Sequence, residues 1–139
     1  NQAFAYLGSF KATSDEKIKN ELLKNADVEL KNALSIKPDF FKARMNLGVL
    51  YVTQGKLNLA EREYDKALEI DSNNANLLYN LAALNSLMGK EDVGLDYLTK
   101  SLKNGFKDIQ LLKTDTDIQN LRSSKEFGTL LETHGIFIN

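Results

Sequence analysis

The feature that most restricts what this chain can fold into is its likeness to itself. Ala26, Glu29, Ala33, Leu34 and Ile36 return 34 residues later as Ala60, Glu63, Ala67, Leu68 and Ile70. The same shift carries Asn46, Leu47, Leu50, Gly55 and Lys56 onto Asn80, Leu81, Leu84, Gly89 and Lys90, and Lys66 and Leu68 onto Lys100 and Leu102. A period of this length is too short for a domain and long enough for two helices. One such unit cannot bury its apolar face alone, so it stacks on copies of itself. The expected fold class is therefore all-α, a right-handed solenoid of about three helix hairpins closed by a C-terminal helical cap.

Within a single domain over 1–139, the repeats are read as 1–38 (atypical first repeat), 39–72 (best repeat), 73–105 (degenerate repeat) and 106–139 (helical cap and tail). In the best repeat one helix is expected from about Asp39 to Gln54 and a second from about Leu57 to Asp71. Pro38 closes the preceding helix, Asp39 serves as N-cap, and Gly55 supplies the positive φ of the turn. Leu59, Ala60, Glu63, Tyr64, Ala67, Leu68 and Ile70 form the inward stripe, with Arg62, Asp65, Lys66 and Glu69 on the wet side. The small side chains at Ala60 and Ala67 allow two helices to approach closely. In the degenerate repeat Glu91 to Asn104 reads as the second helix, ended by Gly105.

Upstream, Asp15 to Lys37 reads as one helix with a stripe of Ile18, Leu22, Ala26, Leu30, Ala33 and Leu34, opened by a capping box of Thr13 and Glu16. Phe4, Leu7 and Gly8 suggest an earlier helix, provided about six residues are inserted relative to the period. Beyond Gly105 the period is lost. Capping boxes at Thr116 with Gln119 and at Ser123 with Glu126 predict short helices from near Asp117 and Lys125. Their apolar residues, among them Ile109, Leu112, Ile118, Leu121, Phe127, Leu130 and Leu131, would cover the last repeat's open face.

Leu47-Gly48, Tyr51, Gly55, Ala60, Tyr64, Ala67 and Leu68 stand at the spacing of the tetratricopeptide repeat family, which the chain resembles. Arg44 departs from it where a large apolar residue is usual, and Ser72 where proline is usual. The next repeat has Asn85, Gly94 and Ser101 where the family prefers tyrosine and alanines. The run from Asp115 to Arg122, followed by Phe127 and Leu130-Leu131, resembles the closing segment of many bacterial members.

The resemblance implies a non-catalytic module that binds another protein or a peptide in a groove lined by the first helix of each repeat. Carried over, that lining is Lys42, Met45, Asn46, Val49 and Thr53, then Asn76, Tyr79, Asn80, Ala83 and Ser86. Asparagine amides can donate to and accept from a peptide backbone, methionine adapts its shape, and tyrosine adds flat area with a polar end. Phe41 is expected in the core and Phe40 is left open. The family's dicarboxylate clamp for chaperone tails is not expected. Only Asn46 matches it, while Asn76 and Asn80 stand where a lysine and an arginine belong, and its first lysine and asparagine fall on Lys11 and Asp15, or on Ala5 and Ser9. An anion without its cations is poorly held.

Chemistry elsewhere is sparse. A net charge of −1 gives no basic field, so nucleic acid is not expected as a partner. The apolar runs fall far short of the roughly 20 residues of a membrane helix, so no direct membrane insertion is expected. Absent cysteines exclude disulfides and thiolate metal sites, and the compartment stays open between cytoplasmic and periplasmic or exported. His134 has no nucleophile or carboxylate motif around it and reads as a helix-end residue. Asp115 and Asp117 lack the glycine and terminal glutamate of a calcium loop and read as caps. Glu61, Glu63, Asp65 and Glu69 are expected on a solvated outer face among Arg62 and Lys66. No cofactor or metal is expected. The alternative roles are a self-associating assembly component, using Phe4 and Phe10, and a helper domain of a longer enzyme preceding Asn1.

Overall fold

A computed structural model of the chain describes residues 16–138. The expected helix around Phe4, Leu7 and Gly8, and the capping role of Thr13, lie outside the described residues. The chain divides into two compact units, 1–71 and 72–139. Among the described residues every regular element is helical.

In the first unit α1 (Glu16–Ile36) packs on α2 (Phe41–Thr53), and α2 pairs with α3 (Leu57–Ile70). The core joins Leu23, Ala26, Leu30 and Leu34 of α1 to Ala43, Leu47 and Leu50 of α2. Leu23, rather than the expected Ile18, lies on the buried stripe, and Ile18 is 47% exposed. α1 ends at Ile36, two residues before Pro38, whose ring disfavours a helical residue before it. The expected cap at Asp39 is replaced by Phe40, in extended backbone and without a side-chain cap bond. Phe40, left open by the sequence, is half-buried against the core beneath the Lys37 ammonium, and Phe41, expected in the core, is likewise only half-buried. Gly55, at φ 74°, makes the left-handed turn into α3.

Across the α2–α3 pair, Gly48 faces the ring of Tyr64 so closely that a methyl group at position 48 would collide with it. Ala60 and Ala67 are fully buried, as close helix approach requires. Leu59 and Ile70, expected inward, sit at the edge of the stripe and are exposed.

The second unit is built on the hairpin of α4 (Ala75–Leu87) and α5 (Glu91–Lys103). α4 buries every residue from Leu81 to Ser86, so its neighbours surround it. One neighbour is the cap, formed by α6 (Ile109–Thr114), a 3₁₀ turn (Thr116–Ile118), α7 (Gln119–Arg122) and α8 (Lys125–Thr133). The 3₁₀ turn and α7 lie against α4, and α7 and α8 against α5. Their Leu112, Ile118, Leu121, Phe127 and Leu131 join Tyr79, Ala82, Leu98, Leu102 and Phe106 in one apolar cluster. The cap boxes are displaced by one residue: Asp115 and Ser124, rather than Thr116 and Ser123, accept the first backbone N–H bonds. α6, which the sequence reading did not separate, is capped by Asp108, whose carboxylate accepts from Leu111 N.

Candidate interaction surface

α2 turns Ala43, Leu47, Gly48 and Leu50 into the core. The 3.6-residue period then leaves Lys42 and Thr53 exposed and Met45, Asn46 and Val49 half-buried on another part of its surface. The Thr53 hydroxyl donates back to the Val49 carbonyl at 3.0 Å. The Asn46 carboxamide makes no hydrogen bond among the described residues, so it keeps two donors and an acceptor for an outside group.

Beside this face lies an ion pair between Arg44 and Glu63; of the two places the sequence offers Glu63, the inward stripe and the solvated outer face, the structure takes the first. Glu63 belongs to the buried side of α3, and its carboxylate accepts two bonds from Arg44 Nη1, each 3.1 Å. The two side chains are 17% and 10% exposed. Arg44 Nε also donates to the Pro38 carbonyl at 3.1 Å, and the Lys66 ammonium stands 3.8 Å from the same carboxylate. The signal was present in the sequence: a guanidinium at a position wanting an apolar residue, and a glutamate recurring within an apolar stripe, each needing the other once buried. Around the exposed part of α3, burial and then the charges of Glu61 and Glu69 hold the Asp65 carboxyl above its ordinary range.

The α4 set divides differently. Asn76 is exposed and Asn80 half-buried, and neither carboxamide has a hydrogen-bond partner among the described residues. Tyr79, Ala83 and Ser86, expected to face a partner, are buried instead. The Tyr79 ring stacks on Phe106 with centroids 4.4 Å apart, and its hydroxyl donates to Asp115 Oδ2 at 2.6 Å. Burial, then the negative Asp115, push the phenol well above its ordinary range, so it stays protonated and donating. The Ser86 carbonyl accepts from Asn120 Nδ2 at 3.0 Å. These three residues hold the cap in place and present no surface.

Asp115 caps the 3₁₀ turn through its second oxygen, accepting from Asp117 N at 3.0 Å. Burial, then Asp115 itself, raise the Asp117 carboxyl above its ordinary range. Among the described residues no three His, Cys, Asp or Glu side chains are grouped to hold a metal ion. His134 ends α8, its Nδ1 lying 3.0 Å from the Leu130 carbonyl, as a helix-end residue should. No described helix is long and apolar enough to cross a membrane.

Comparison with known proteins agrees with the helical-repeat fold. The TPR repeat family matches residues 50–89. A thermophilic TPR protein of Thermus thermophilus superposes with a TM-score of 0.72 at 22% identity, covering 94% of this chain and 60% of that one. The pilF protein of Pseudomonas aeruginosa gives 0.60 at 23% identity, covering 96% and 54%. The human protein O-mannosyl-transferase TMTC3 is 45% identical over 60 residues, 43% of this chain and 7% of that protein. A chloroplastic protein of Arabidopsis thaliana is 37% identical over 54 residues, 39% of this chain and 16% of that protein. The chain thus spans a small part of these two relatives. The likeness to the solved structures is one of fold.

Proposed function

We propose that this chain, a tetratricopeptide-repeat protein, is a non-catalytic interaction module that takes a peptide or helical segment of another protein on the surface of its first helices. Tetratricopeptide domains as a class bind other proteins. The observation that carries the finer reading is the state of two carboxamides. Asn46 and Asn80 are half-buried yet have no hydrogen-bond partner among the described residues, whereas the half-buried Asn74 and the buried Asn85 are engaged by the chain itself; the other asparagines without a partner, Asn20, Asn25, Asn32, Asn58 and Asn76, are exposed. Met45 and Val49 beside Asn46 add apolar area, and Lys42 a single cation, so recognition rests on shape and amide hydrogen bonds.

The test is affinity capture of a partner from the source cell, followed by the Kd of that purified partner for the parent chain and for Asn46→Ala/Asn80→Ala. Both side chains lie off the fully buried core, so the melting temperature should hold. The Kd should rise about tenfold, corresponding to one or two lost hydrogen bonds of about 1 kcal/mol each. An unchanged Kd in the folded variant would remove these faces from the account.

A further inference from the structure

Lys113, Arg122 and Lys125 stand on three different helices, α6, α7 and α8, and nothing in their sequence spacing connects them. The second unit brings all three to the lining of one cleft of about 540 Å³. That volume is within the roughly 300–1,000 Å³ usual for ligand pockets. The cleft reaches down to Phe127 and Leu131, which belong to the core, with the half-buried Ile136 beside them. Phe137, 75% exposed, stands on its lining as well, and Glu132 is its one carboxylate.

Among the described residues no carboxylate forms an ion pair with these three cations. Arg122 is fixed by two bonds to backbone carbonyls, Nε to Leu112 at 3.0 Å and Nη2 to Asp115 at 2.8 Å. These partners orient the guanidinium without cancelling its charge. Lys113 and Lys125 have neither a side-chain hydrogen bond nor an ion pair among the described residues. In a chain of net charge −1, this is a local excess of positive charge set against an apolar floor. Gly128 also lines the cleft, and a Cβ built there meets nothing within 4 Å.

We propose that this cleft is a docking site, independent of the α2 and α4 faces, for an acidic peptide segment of a partner protein. An apolar side chain of that segment would rest on Phe127 and Leu131. Carboxylates flanking it would meet Lys113, Arg122 and Lys125, the complementarity that fixes register and speeds association. The concavity favours a peptide over a bilayer, which offers a flat surface to a cationic patch.

The full chain would be used to select from a phage-displayed library of random dodecapeptides, and the dominant peptide, labelled with fluorescein, titrated by anisotropy. The selected peptides should carry Leu, Ile or Phe flanked by at least two Asp or Glu. Lys113→Glu/Lys125→Glu, both exposed, should weaken the peptide about tenfold, and raising the salt should weaken it further. Gly128→Leu fills the cleft while replacing a helix-interior glycine, so its melting temperature should hold or rise as binding falls at least tenfold. Met45→Ala/Asn46→Ala should leave the peptide's Kd unchanged. Selection of peptides without acidic residues, or acidic peptides insensitive to both cleft variants, overturns the proposal. So does an empty selection accompanied by sedimentation of the chain with phosphatidylserine vesicles.

Discussion

The two hairpins α2–α3 and α4–α5 occupy the same positions of the 34-residue period and solve their packing in opposite ways. The first places a tyrosine ring, Tyr64, against a bare glycine, Gly48. The second has Leu98 and Ala82 at the same positions: as the ring shrinks, the methyl returns, and both are buried. The first holds the ion pair of Arg44 and Glu63 where the second holds Leu78 and Tyr97. Ala60 and Ala67 become Gly94 and Ser101. A methyl at position 94 would come within 2.9 Å of Leu121 in the cap, and the Ser101 hydroxyl bonds the Ala75 carbonyl at 2.7 Å. Equivalent positions therefore change in matched sets: Gly48 with Tyr64 and Arg44 with Glu63 are matched within the first hairpin, Ser101 with the Ala75 carbonyl within the second, and Gly94 with Leu121 of the cap.

The largest effect should come from breaking the ion pair. Glu63→Ala leaves the Arg44 charge largely buried without its carboxylate and should cost about 3 kcal/mol in a urea melt. Introducing the second hairpin's solution, Arg44→Leu/Glu63→Tyr, should restore most of that loss, because an apolar pair of similar volume replaces a buried charge pair at little cost. If the double variant is no more stable than the single one, the two positions are not exchangeable between hairpins.

A smaller loss, about 2 kcal/mol, is expected for Gly48→Ala, where overpacking against Tyr64 outweighs the gain in helix propensity. Gly48→Ala/Tyr64→Leu reproduces Ala82 and Leu98 and should recover at least half of it. Additive losses in this double-mutant cycle would deny that the glycine exists for the ring.

The smallest effect concerns the cap, which only the second hairpin carries among the described residues. Asp117 is held above its ordinary value near 4, so the folded chain binds a proton more tightly there than the unfolded one. Its contribution is complete below the unfolded value and is lost as the pH rises through the folded value. Asp117→Asn should therefore gain slightly on the parent between pH 4 and neutrality, with no difference below pH 3.5, as read from melting temperatures.

Legibility in the sequence followed the same division. The hairpins were readable because their turn glycines recur with the period: Gly55 and Gly89, 34 residues apart, both take positive φ where the repeat turns, and Gly105 does the same at the end of α5. α3 begins at Leu57 as expected and ends one residue short. Three things escaped. The pairing of the inward Glu63 with Arg44 joins residues 19 apart, which no local period contains. Tyr79 shares its helical face with Asn76 and Asn80, but the cap that covers it comes from residues about 36 positions later, outside the repeat. The cationic cleft draws its lining from α6 to the C-terminal tail, where the period had already lapsed. Of the residues expected to line a groove, Lys42, Met45, Asn46, Val49, Thr53, Asn76 and Asn80 are exposed or half-buried on α2 and α4, whereas Tyr79, Ala83 and Ser86 are buried.

The most direct measurement is hydrogen–deuterium exchange of the full chain with and without a purified partner. Protection concentrated in peptides covering Lys42–Thr53, and at Asn76–Asn80 of α4, is the predicted result. Protection confined to α3, with exchange in α2 unchanged by the partner, would contradict the account.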